Sequence, residues 1–219
     1  MHKLYSEIAV IIMIGGKSSR LGGGIKSLIK INNKKIFDII LERIQPQIDK
    51  IIINSNIEDT EISKYKFPII KDVKQGYLGP LAGIHAGMQW LNKNKPEVDW
   101  LLTLPGDTPF IPLNLVSCFE EKINQDSKII LAKSNDKIHP IIGAWHTSLL
   151  TSLNEHLESG TRKILEWANN HPLEFLEFNE KSYDPFFNIN TPIDINKAED
   201  IEKKIYLKKI PKKIEKSKV

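Results

Sequence analysis

The sequence predicts a doubly wound α/β fold, in which a mostly parallel sheet carries helices on both faces. Short β-branched apolar runs alternate with longer amphipathic segments, as they do in repeated βαβ units. The first four runs end at polar or glycine-bearing segments, and open parallel sheets bind ligands at the carboxyl ends of their strands. The chain shows neither an internal repeat nor a low-complexity linker, which favours a single domain of this fold.

The individual elements follow from hydrophobic periodicity. Five apolar runs are predicted as strands, at residues 8–14, 50–54, 68–71, 100–105 and 129–132. Three segments have apolar residues three and four positions apart and are predicted as helices packed on the sheet, at residues 36–45, 81–92 and 113–123.

Length and composition favour one ordinary globular domain. The chain has 219 residues, of which 41% are hydrophobic and 26% charged, and this content is enough for a full core. We assign residues 1–202 to a single domain and residues 203–219 to a basic C-terminal tail that need not be ordered. We expect a monomer.

The formal net charge of +4 lies largely in that tail. Because the body is close to neutral, nucleic-acid binding is disfavoured. We expect the tail to be a frayed, solubilising terminus; contact with an acidic partner or a membrane surface is the alternative. The lone Cys118 excludes an internal disulfide and fits the cytoplasm. No export signal is apparent, and no apolar stretch approaches the roughly 20 residues of a membrane helix.

The loop after the first predicted strand, GGKSSRLGGGIK at residues 15–26, predicts a polyphosphate site. Gly15 and Gly16 lack a Cβ, so ligand oxygens can approach the backbone closely. Arg20 and Lys26 supply positive charge, and the loop N–H groups add hydrogen-bond donors. The spacing matches neither the P-loop nor the dinucleotide fingerprint. The glycine pairs alone also fit a flexible loop after a buried strand, and the two basic residues favour phosphate binding.

The segment TLPGDTPFIP at residues 103–112 carries Asp107 into a turn braced by three prolines. One fixed carboxylate facing a phosphate loop suffices for Mg²⁺, which takes its other ligands from substrate phosphates and water. Alone, Asp107 also fits an ordinary turn aspartate. Asn188 and Asn190 can add neutral contacts at the same edge. Alternatively, Asn190 or Thr191 caps a last helix that has Pro192 at its first position.

A third segment, DVKQGYLGPLAGI at residues 72–84, opens a predicted helix near Leu81. The free N–H groups of a helix N-terminus bind an anion or the polar edge of a base, and Gly79 allows close approach. Glycines at tight helix–sheet packing are the alternative interpretation. Since strand ends meet at one edge, we expect Gly15, Asn54, Asp72 and Asp107 to gather there.

In order and spacing, these segments resemble the molybdenum cofactor guanylyltransferase family, within the nucleotidyltransferases that have a Rossmann-like sheet. The resemblance covers nearly the whole chain. It is carried by IGGKSSRLGGGIK at residues 14–26, GPLAGI at 79–84, PGDTPFIP at 105–112, HPIIGAW at 139–145 and NINTP at 188–192. It implies transfer of GMP from GTP to the terminal phosphate of molybdenum-molybdopterin, with Mg²⁺ and release of pyrophosphate.

The resemblance also implies roles for single residues. Arg20, Lys26 and Asp107 would be catalytic, and Asp107 would bind the metal. The nucleotide contacts would be Met13, Ile14, Gly15, Gly16, Lys26, Asn54, Asp72, Gly79 and Asp107. The pterin contacts would be His139, Trp145, Arg162, Asn188 and Asn190. The chain departs from the family at Ile14, where alanine is usual, and at Ile25, where an acidic residue often precedes the lysine.

Two other functions share these features. One is a cytidylyltransferase or sugar-phosphate nucleotidyltransferase on the same fold, because the loop and Asp107 are common to that class. The other is a GTP-binding adaptor without catalysis, whose basic tail recruits a partner. The expected partners are GTP, the molybdopterin cofactor, cofactor-insertion proteins and molybdoenzymes. Zinc and Ser-His-Asp chemistry are disfavoured, because neither H-E-x-x-H nor G-x-S-x-G occurs.

Overall fold

The computed structural model describes residues 7–14, 24–73, 79–160 and 162–209, with side chains up to residue 205. The strands are β1 (Ile8–Met13), β2 (Lys30–Ile31), β3 (Lys34–Lys35), β4 (Ile51–Asn54), β5 (Ile69–Ile70), β6 (Trp100–Pro105), β7 (Ile129–Ser134), β8 (Lys137–His146) and β9 (Leu173–Glu177). The helices are α1 (Ile36–Ile44), α2 (Thr60–Ser63), α3 (Pro80–Asn94), α4 (Leu115–Lys122), α5 (Leu150–Glu158), α6 (Ile164–Ala168) and α7 (Pro192–Lys209).

The main sheet has seven strands in the order β5-β4-β1-β6-β8-β7-β9. All its pairings are parallel except the two made by β8, which runs antiparallel to β6 and β7. The mostly parallel doubly wound prediction is therefore confirmed, as are the five strands and three helices predicted from periodicity. The sequence prediction did not include β8, β9, the β2–β3 hairpin or the short helices α2, α5 and α6.

Strand β8 contains Pro140, which cannot donate to a sheet ladder. The ladder bulges there: Leu131 pairs with Gly143 whereas the next residue, Ala132, pairs with His139. The β7–β8 turn places Asn135 and Asp136 at φ values of 48° and 59°, in the left-handed region of a tight hairpin. The bulge therefore accommodates the proline in an interior strand.

The hydrophobic core has two parts, one on each face of the sheet. Along β1, Val10 and Ile12 pack into the first part, whereas Ala9 and Ile11 pack into the second. This alternation follows from the period of two in a strand. Because helices cover both faces, β1 is buried along its whole length, and its carboxyl end can present only backbone and loop atoms to a ligand.

Helix α7 continues through Lys209, and residues 210–219 lie outside the described part of the chain. The division into one domain and a tail remains a prediction. No helix in the described ranges is both long and apolar enough to cross a membrane.

Candidate active site

Three neighbouring strands end at the same level and form the floor of the candidate site. Met13, the last residue of β1, pairs with Asn54 of β4 on one side and with Pro105 of β6 on the other. Beyond the strands, the Ile14 amide donates to the Asn54 carbonyl at 2.8 Å, and the Gly106 amide donates to the Met13 carbonyl at 2.9 Å. The predicted gathering of strand ends at one edge is confirmed for β1, β4 and β6.

Lys26 and Asp107 meet above this floor. The Lys26 Nζ lies 2.7 Å from Asp107 Oδ2, and each side chain is only 17% exposed. Lys26 Nζ also donates to Asn190 Oδ1 at 2.5 Å. The site therefore joins residues from three distant parts of the sequence around one ammonium group.

Lys26 opens a short 3₁₀ helix, Lys26–Leu28, whose second residue packs against the turn that carries Asp107. A Cβ added to Gly106 would lie 2.5 Å from Ser27 Oγ and 3.1 Å from the Met13 carbonyl oxygen. Since real Cβ atoms do not approach so closely, only glycine fits between Ser27 and the end of β1. The absent side chain at Gly106 thus lets the lysine segment and the aspartate turn approach each other.

The segment before α7 reaches the site through its backbone. The Ile189 amide donates to the Asp107 carbonyl at 3.0 Å, and the Ile189 side chain is fully buried in the first core. Ile189 therefore fixes its neighbours, Asn188 and Asn190, beside Asp107.

The cap of α7 is made by Thr191. Its hydroxyl accepts from the Asp194 amide at 3.3 Å, and Asp194 Oδ2 accepts from the Thr191 amide at 2.9 Å. This reciprocal pair is a capping box, in which the aspartate occupies the third helical position. Asn190 contributes only its backbone amide to the cap, so its side chain is available to Lys26.

The Lys26–Asp107–Asn190 cluster retains unused hydrogen-bonding capacity. An ammonium group has three donors, and Asp107 and Asn190 use two of them. Asp107 Oδ1 and Asn188 Oδ1 are buried and have no hydrogen-bond partner among the described residues. Buried polar atoms are nearly always paired, so each of these oxygens can accept from a ligand that carries positive charge or hydrogen-bond donors.

A second polar group lies at the end of β4. Asn54 Nδ2 donates to Asp72 Oδ1 at 3.0 Å, and Asn56 Nδ2 donates to Asp72 Oδ2 at 2.7 Å. The Asp72 amide in turn donates to Asn56 Oδ1 at 2.8 Å. Two amide side chains therefore orient the Asp72 carboxylate. The sequence prediction included Asn54 and Asp72 but not Asn56, although its place two residues beyond the end of β4 was a usable signal.

Helix α3 begins beside this polar group. Gly79 is its N-cap, with φ at 68° in the left-handed region, and Pro80 is its first residue. A Cβ on Gly83 would lie 2.6 Å from Asn54 Oδ1 and 3.0 Å from Met13 Sδ. The first turn of α3 therefore packs directly on Asn54, because Gly83 has no side chain.

The predicted pterin contacts do not all meet at the site. His139 is buried, with Nε2 2.7 Å from Ser134 Oγ and its ring 4.9 Å from that of Phe186. Ser134 donates to Asp184 Oδ1 at 2.7 Å. Because that bond uses the hydroxyl hydrogen, Nε2 of His139 must be the donor to Ser134. Burial lowers the pKa of His139, and Asp184 raises it by a smaller amount.

Trp145 lies in the second core. Its side chain is fully buried, its ring stacks on Trp167 at 5.7 Å, and its indole N–H donates to Thr103 Oγ1 at 2.9 Å. With its only polar atom already bonded, this side chain stabilises the core and offers no atom to a pterin. Arg162 is exposed in the connection between α5 and α6. Of the five predicted pterin residues, only Asn188 and Asn190 are placed beside Asp107.

The remaining predicted residues fall into two groups. Gly15, Gly16 and Arg20 lie outside the described residues. Ile14 and Ile25, where the chain departs from the family pattern, are both buried in the first core. Their side chains therefore pack inward and leave the ligand edge to the backbone.

Two residues that contact the Asp107 turn were not included in the sequence prediction: Arg43, which is buried, and Tyr183, which is partly buried. Arg43 Nε donates to the Ile111 carbonyl at 2.5 Å, and the Tyr183 ring packs edge-on against Phe110 at 6.2 Å. Neither residue carries a recognisable motif, so no local signal in the sequence identifies them. The described residues contain no group of three or more His, Cys, Asp or Glu side chains that could hold a metal ion.

Comparisons with known proteins identify sequence relatives. Residues 10–173 match the family model described as a MobA-like NTP transferase domain. Over 193 residues the chain is 33% identical to the molybdenum cofactor guanylyltransferase of Rhodopseudomonas palustris (strain BisB5), covering 87% of this chain and 92% of the relative. It is 34% identical over 188 residues to the enzyme of the same name from Yersinia pestis (strain Pestoides F), covering 86% and 93%.

Solved structures share the fold. The crystal structure of molybdopterin-guanine dinucleotide biosynthesis protein A from Archaeoglobus fulgidus superposes with a TM-score of 0.71 and 25% identity, covering 90% of this chain and 99% of that one. The 4-diphosphocytidyl-2C-methyl-D-erythritol synthase of Anaerococcus prevotii superposes with a TM-score of 0.67 at 16% identity, covering 90% and 96%. The second likeness shows the common fold alone, whereas the 33–34% identical relatives are guanylyltransferases.

Proposed function

Since this chain belongs to the family of MobA-like NTP transferase domains, we propose that it is a molybdenum cofactor guanylyltransferase. It transfers GMP from GTP to the terminal phosphate of molybdenum-molybdopterin, forms the guanine dinucleotide cofactor and releases pyrophosphate. The names of the 33–34% identical relatives support guanylyl over cytidylyl transfer. They also favour an enzyme over a non-catalytic GTP-binding adaptor.

One observation carries the proposal: the Lys26 ammonium lies between Asp107 and Asn190 at the shared end of β1 and β6. Phosphoryl transfer needs positioned charge more than covalent help from the protein. In this cluster Lys26 provides a positive charge for phosphate oxygens. Asp107 provides the negative charge that opposes the Lys26 ammonium. The glycine-rich loop predicted to bind the triphosphate runs directly into Lys26.

The reaction is an in-line displacement at the α-phosphorus of GTP. An oxygen of the pterin phosphate forms a new P–O bond as the bond to the β-phosphate oxygen breaks, and pyrophosphate leaves with the electron pair. The nucleophile is already an anion near neutral pH, so no protein base is required. The protein positions the two phosphates and neutralises their charge, and Lys26 and Arg20 serve the departing pyrophosphate.

The available oxygens fit Mg²⁺. Asp107 Oδ1 and Asn188 Oδ1 are buried oxygen atoms without a hydrogen-bond partner among the described residues, and Mg²⁺ takes oxygen ligands from one or two side chains plus substrate phosphates. Asp107 and Asn188 would hold the ion. An ion held there would supply positive charge to the substrate phosphates.

Substrate recognition divides between the two polar groups. The Asp72 carboxylate, held by Asn54 and Asn56, lies at the nucleotide end and can accept from donors on guanine or ribose. Asn188 and Asn190 lie toward the pterin phosphate. Cytoplasmic location, a monomeric state and transfer of the product to cofactor-insertion proteins or molybdoenzymes remain predictions from the sequence.

The test is pyrophosphate release from GTP, CTP and ATP in separate reactions with Mg²⁺, with and without molybdate-loaded molybdopterin. We expect release from GTP only when the pterin is present. Equal or greater release from CTP would change the product to a cytidine dinucleotide. GTP binding without release under any pterin condition would contradict catalysis and favour the adaptor.

A further inference from the structure

Arg43 is a buried cation that is bonded to the turn carrying Asp107. It lies in α1, is only 9% exposed, and donates from Nε to the Ile111 carbonyl at 2.5 Å. Ile111 follows Asp107 by four residues in the same proline-braced turn, and its own side chain is fully buried. The guanidinium therefore binds the backbone of the turn that presents Asp107.

The same guanidinium interacts with Tyr183, which belongs to the segment that presents Asn188 and Asn190. Burial lowers the pKa of Arg43, and the nearby Tyr183 hydroxyl opposes this effect. Tyr183 precedes Asn188 by five residues. Its ring packs against that of Phe110, in the Asp107 turn, with a centroid separation of 6.2 Å. Arg43 thus lies at the junction of two of the three segments that supply the site, the Asp107 turn and the segment that carries Asn188 and Asn190.

Gln47, three residues beyond the end of α1, also bonds to this part of the chain. Gln47 Nε2 donates to the Pro112 carbonyl at 3.0 Å, and Gln47 Oε1 accepts from the Val116 amide at 2.9 Å. Arg43 and Gln47 therefore bond the end of the Asp107 turn at two carbonyls, and Gln47 bonds the first turn of α4 at a third point. Arg43 alone among these contacts also reaches Tyr183.

No carboxylate within the described ranges forms an ion pair with Arg43, which donates to the Ile111 carbonyl and interacts with the Tyr183 side chain. Burying a charge without an opposite charge is expensive, and an apolar side chain of similar size is often at least as stabilising. Stability alone therefore gives a weak reason for arginine here. A stronger reason for arginine is that its partners, Ile111 and Tyr183, belong to the two segments that carry Asp107 and Asn190.

We propose that Arg43 is a positioning residue, which clamps the Asp107 turn and the 183–190 segment in one arrangement through the Ile111 carbonyl and the Tyr183 hydroxyl. Arg43 does not contact the reacting phosphates itself. Its effect on catalysis rests on the proposed guanylyl transfer, whereas its effect on the geometry of the two segments does not.

The experiment compares Arg43→Met, Arg43→Lys and Tyr183→Phe with two controls. Lys34→Met removes a partly exposed lysine of β3 that pairs with Glu42 of α1, the helix that carries Arg43. Leu153→Ala lowers the stability of the folded protein by removing a buried side chain from the second core, away from the clamp. We measure kcat and KM for GTP at a temperature where every variant is folded, and amide hydrogen exchange at Ile189 and Gly106.

We expect Arg43→Met to lower kcat about tenfold with little change in KM, because displaced catalytic groups weaken the transition state more than the ground state. Tyr183→Phe should produce a smaller loss, and Arg43→Lys should restore only part of the rate. Exchange at Ile189, which bonds to the Asp107 carbonyl, should accelerate, while exchange at Gly106, bonded within the sheet end, should not.

Unchanged kcat in Arg43→Met, or a loss no greater than in Leu153→Ala, would overturn the catalytic part of the proposal. Unchanged Ile189 exchange would overturn the clamp itself. If the unaltered protein released no pyrophosphate, the proposed function would fail, and exchange at Ile189 would still decide the clamp. If Arg43→Met did not fold, Tyr183→Phe would carry the same test.

Discussion

The backbone amide of Ile189 donates to the backbone carbonyl of Asp107 at 3.0 Å. This bond joins the turn after β6 to the segment before α7, main chain to main chain. Because it involves no side-chain atoms, substitution of the Asp107 side chain leaves it in place. The chemistry of the carboxylate can therefore be tested separately from the architecture that holds it.

Asp107→Ala should reduce turnover far more than stability. The Lys26–Asp107 pair is mostly buried, but Lys26 keeps its bond to Asn190 and the variant loses a buried oxygen that has no partner among the described residues, so we expect folding to lose only about 1–3 kcal/mol. Loss of one charged group that serves the transition state typically costs a factor of about 10² or more in kcat. Initial rates of pyrophosphate release and thermal melting measure the two effects. Full activity of the variant with Mg²⁺ would remove Asp107 from the reaction.

The sequence predicted those parts of the fold that depend on local pattern. The strand at residues 100–105 was predicted correctly because its continuous apolar run and the proline-glycine turn after it can be recognised from the local sequence alone. The antiparallel β8 was missed because Pro140 and Gly143 weaken its pattern, and only its bulged pairing with β7 makes it a strand. The edge strand β9, LEFLE, is short and only half-buried, so its apolar signal is weak.

The candidate site was predictable where strand ends bring residues together. Lys26 and Asp107 follow β1 and β6, which are neighbours in the sheet, so topology alone places them close. Asn56, Arg43 and Tyr183 depend on how side chains pack between elements distant in sequence. Trp145 was misjudged for the same reason: it lies in a motif-bearing strand, but the face that it occupies is set by the sheet register.

Asn56→Ala should raise KM for GTP, because Asn56 forms two of the hydrogen bonds that orient Asp72. A typical hydrogen bond makes a net contribution of about 0.5–1.5 kcal/mol, which corresponds to an increase in KM of about 2-fold to 13-fold. Asn56→Asp should be worse, since it places a second carboxylate beside Asp72. Steady-state kinetics with varied GTP provide the measurement.

Asn94→Ala is the matched control for Asn56→Ala. Asn94 is also an exposed asparagine, and its Nδ2 donates to a backbone carbonyl near the end of α3. We expect its KM for GTP to match that of the unaltered protein. Equal KM values for Asn56→Ala and Asn94→Ala would show that the Asn56–Asp72 contact does not serve the nucleotide.

His139 should make stability fall on acidification. Its pKa is lowered in the folded protein from an ordinary value of 6.5, so below pH 6.5 the unfolded chain binds a proton that the folded chain resists. The stabilising contribution is complete above pH 6.5 and is lost as the pH falls through the lower folded pKa. Melting temperatures between pH 7.5 and 5 should therefore decrease toward acid.

Replacing His139 by Asn should reduce, but not abolish, this decrease. His146 and His171 also have pKa values lowered by burial, so they retain part of the effect. The pH dependence of the melting temperature is compared between the two proteins under otherwise identical conditions. An identical slope would mean that His139 is not held neutral in the folded state.

Gly83→Ala and Gly87→Ala separate nucleotide affinity from core packing. Both positions lie in α3, and alanine in a helix interior is favoured over glycine by about 0.5–1 kcal/mol. At Gly83 the new Cβ would lie 2.6 Å from Asn54 Oδ1, whereas at Gly87 it would lie 2.7 Å from Leu101 Cδ2. The first clash displaces an amide that orients Asp72; the second displaces a core leucine.

We therefore expect Gly83→Ala to raise KM for GTP several-fold with little loss of stability, because a side-chain amide at the site edge can rotate away. Gly87→Ala should lower the melting temperature and leave KM unchanged, since overpacking a core costs about 1–3 kcal/mol and Leu101 does not reach the ligand edge. The measurements are KM for GTP and the melting temperature, made in parallel on the two variants. If Gly83→Ala lost stability without any change in KM, Asn54 would act only in packing, and the Asn54–Asp72–Asn56 group would have no part in binding the nucleotide.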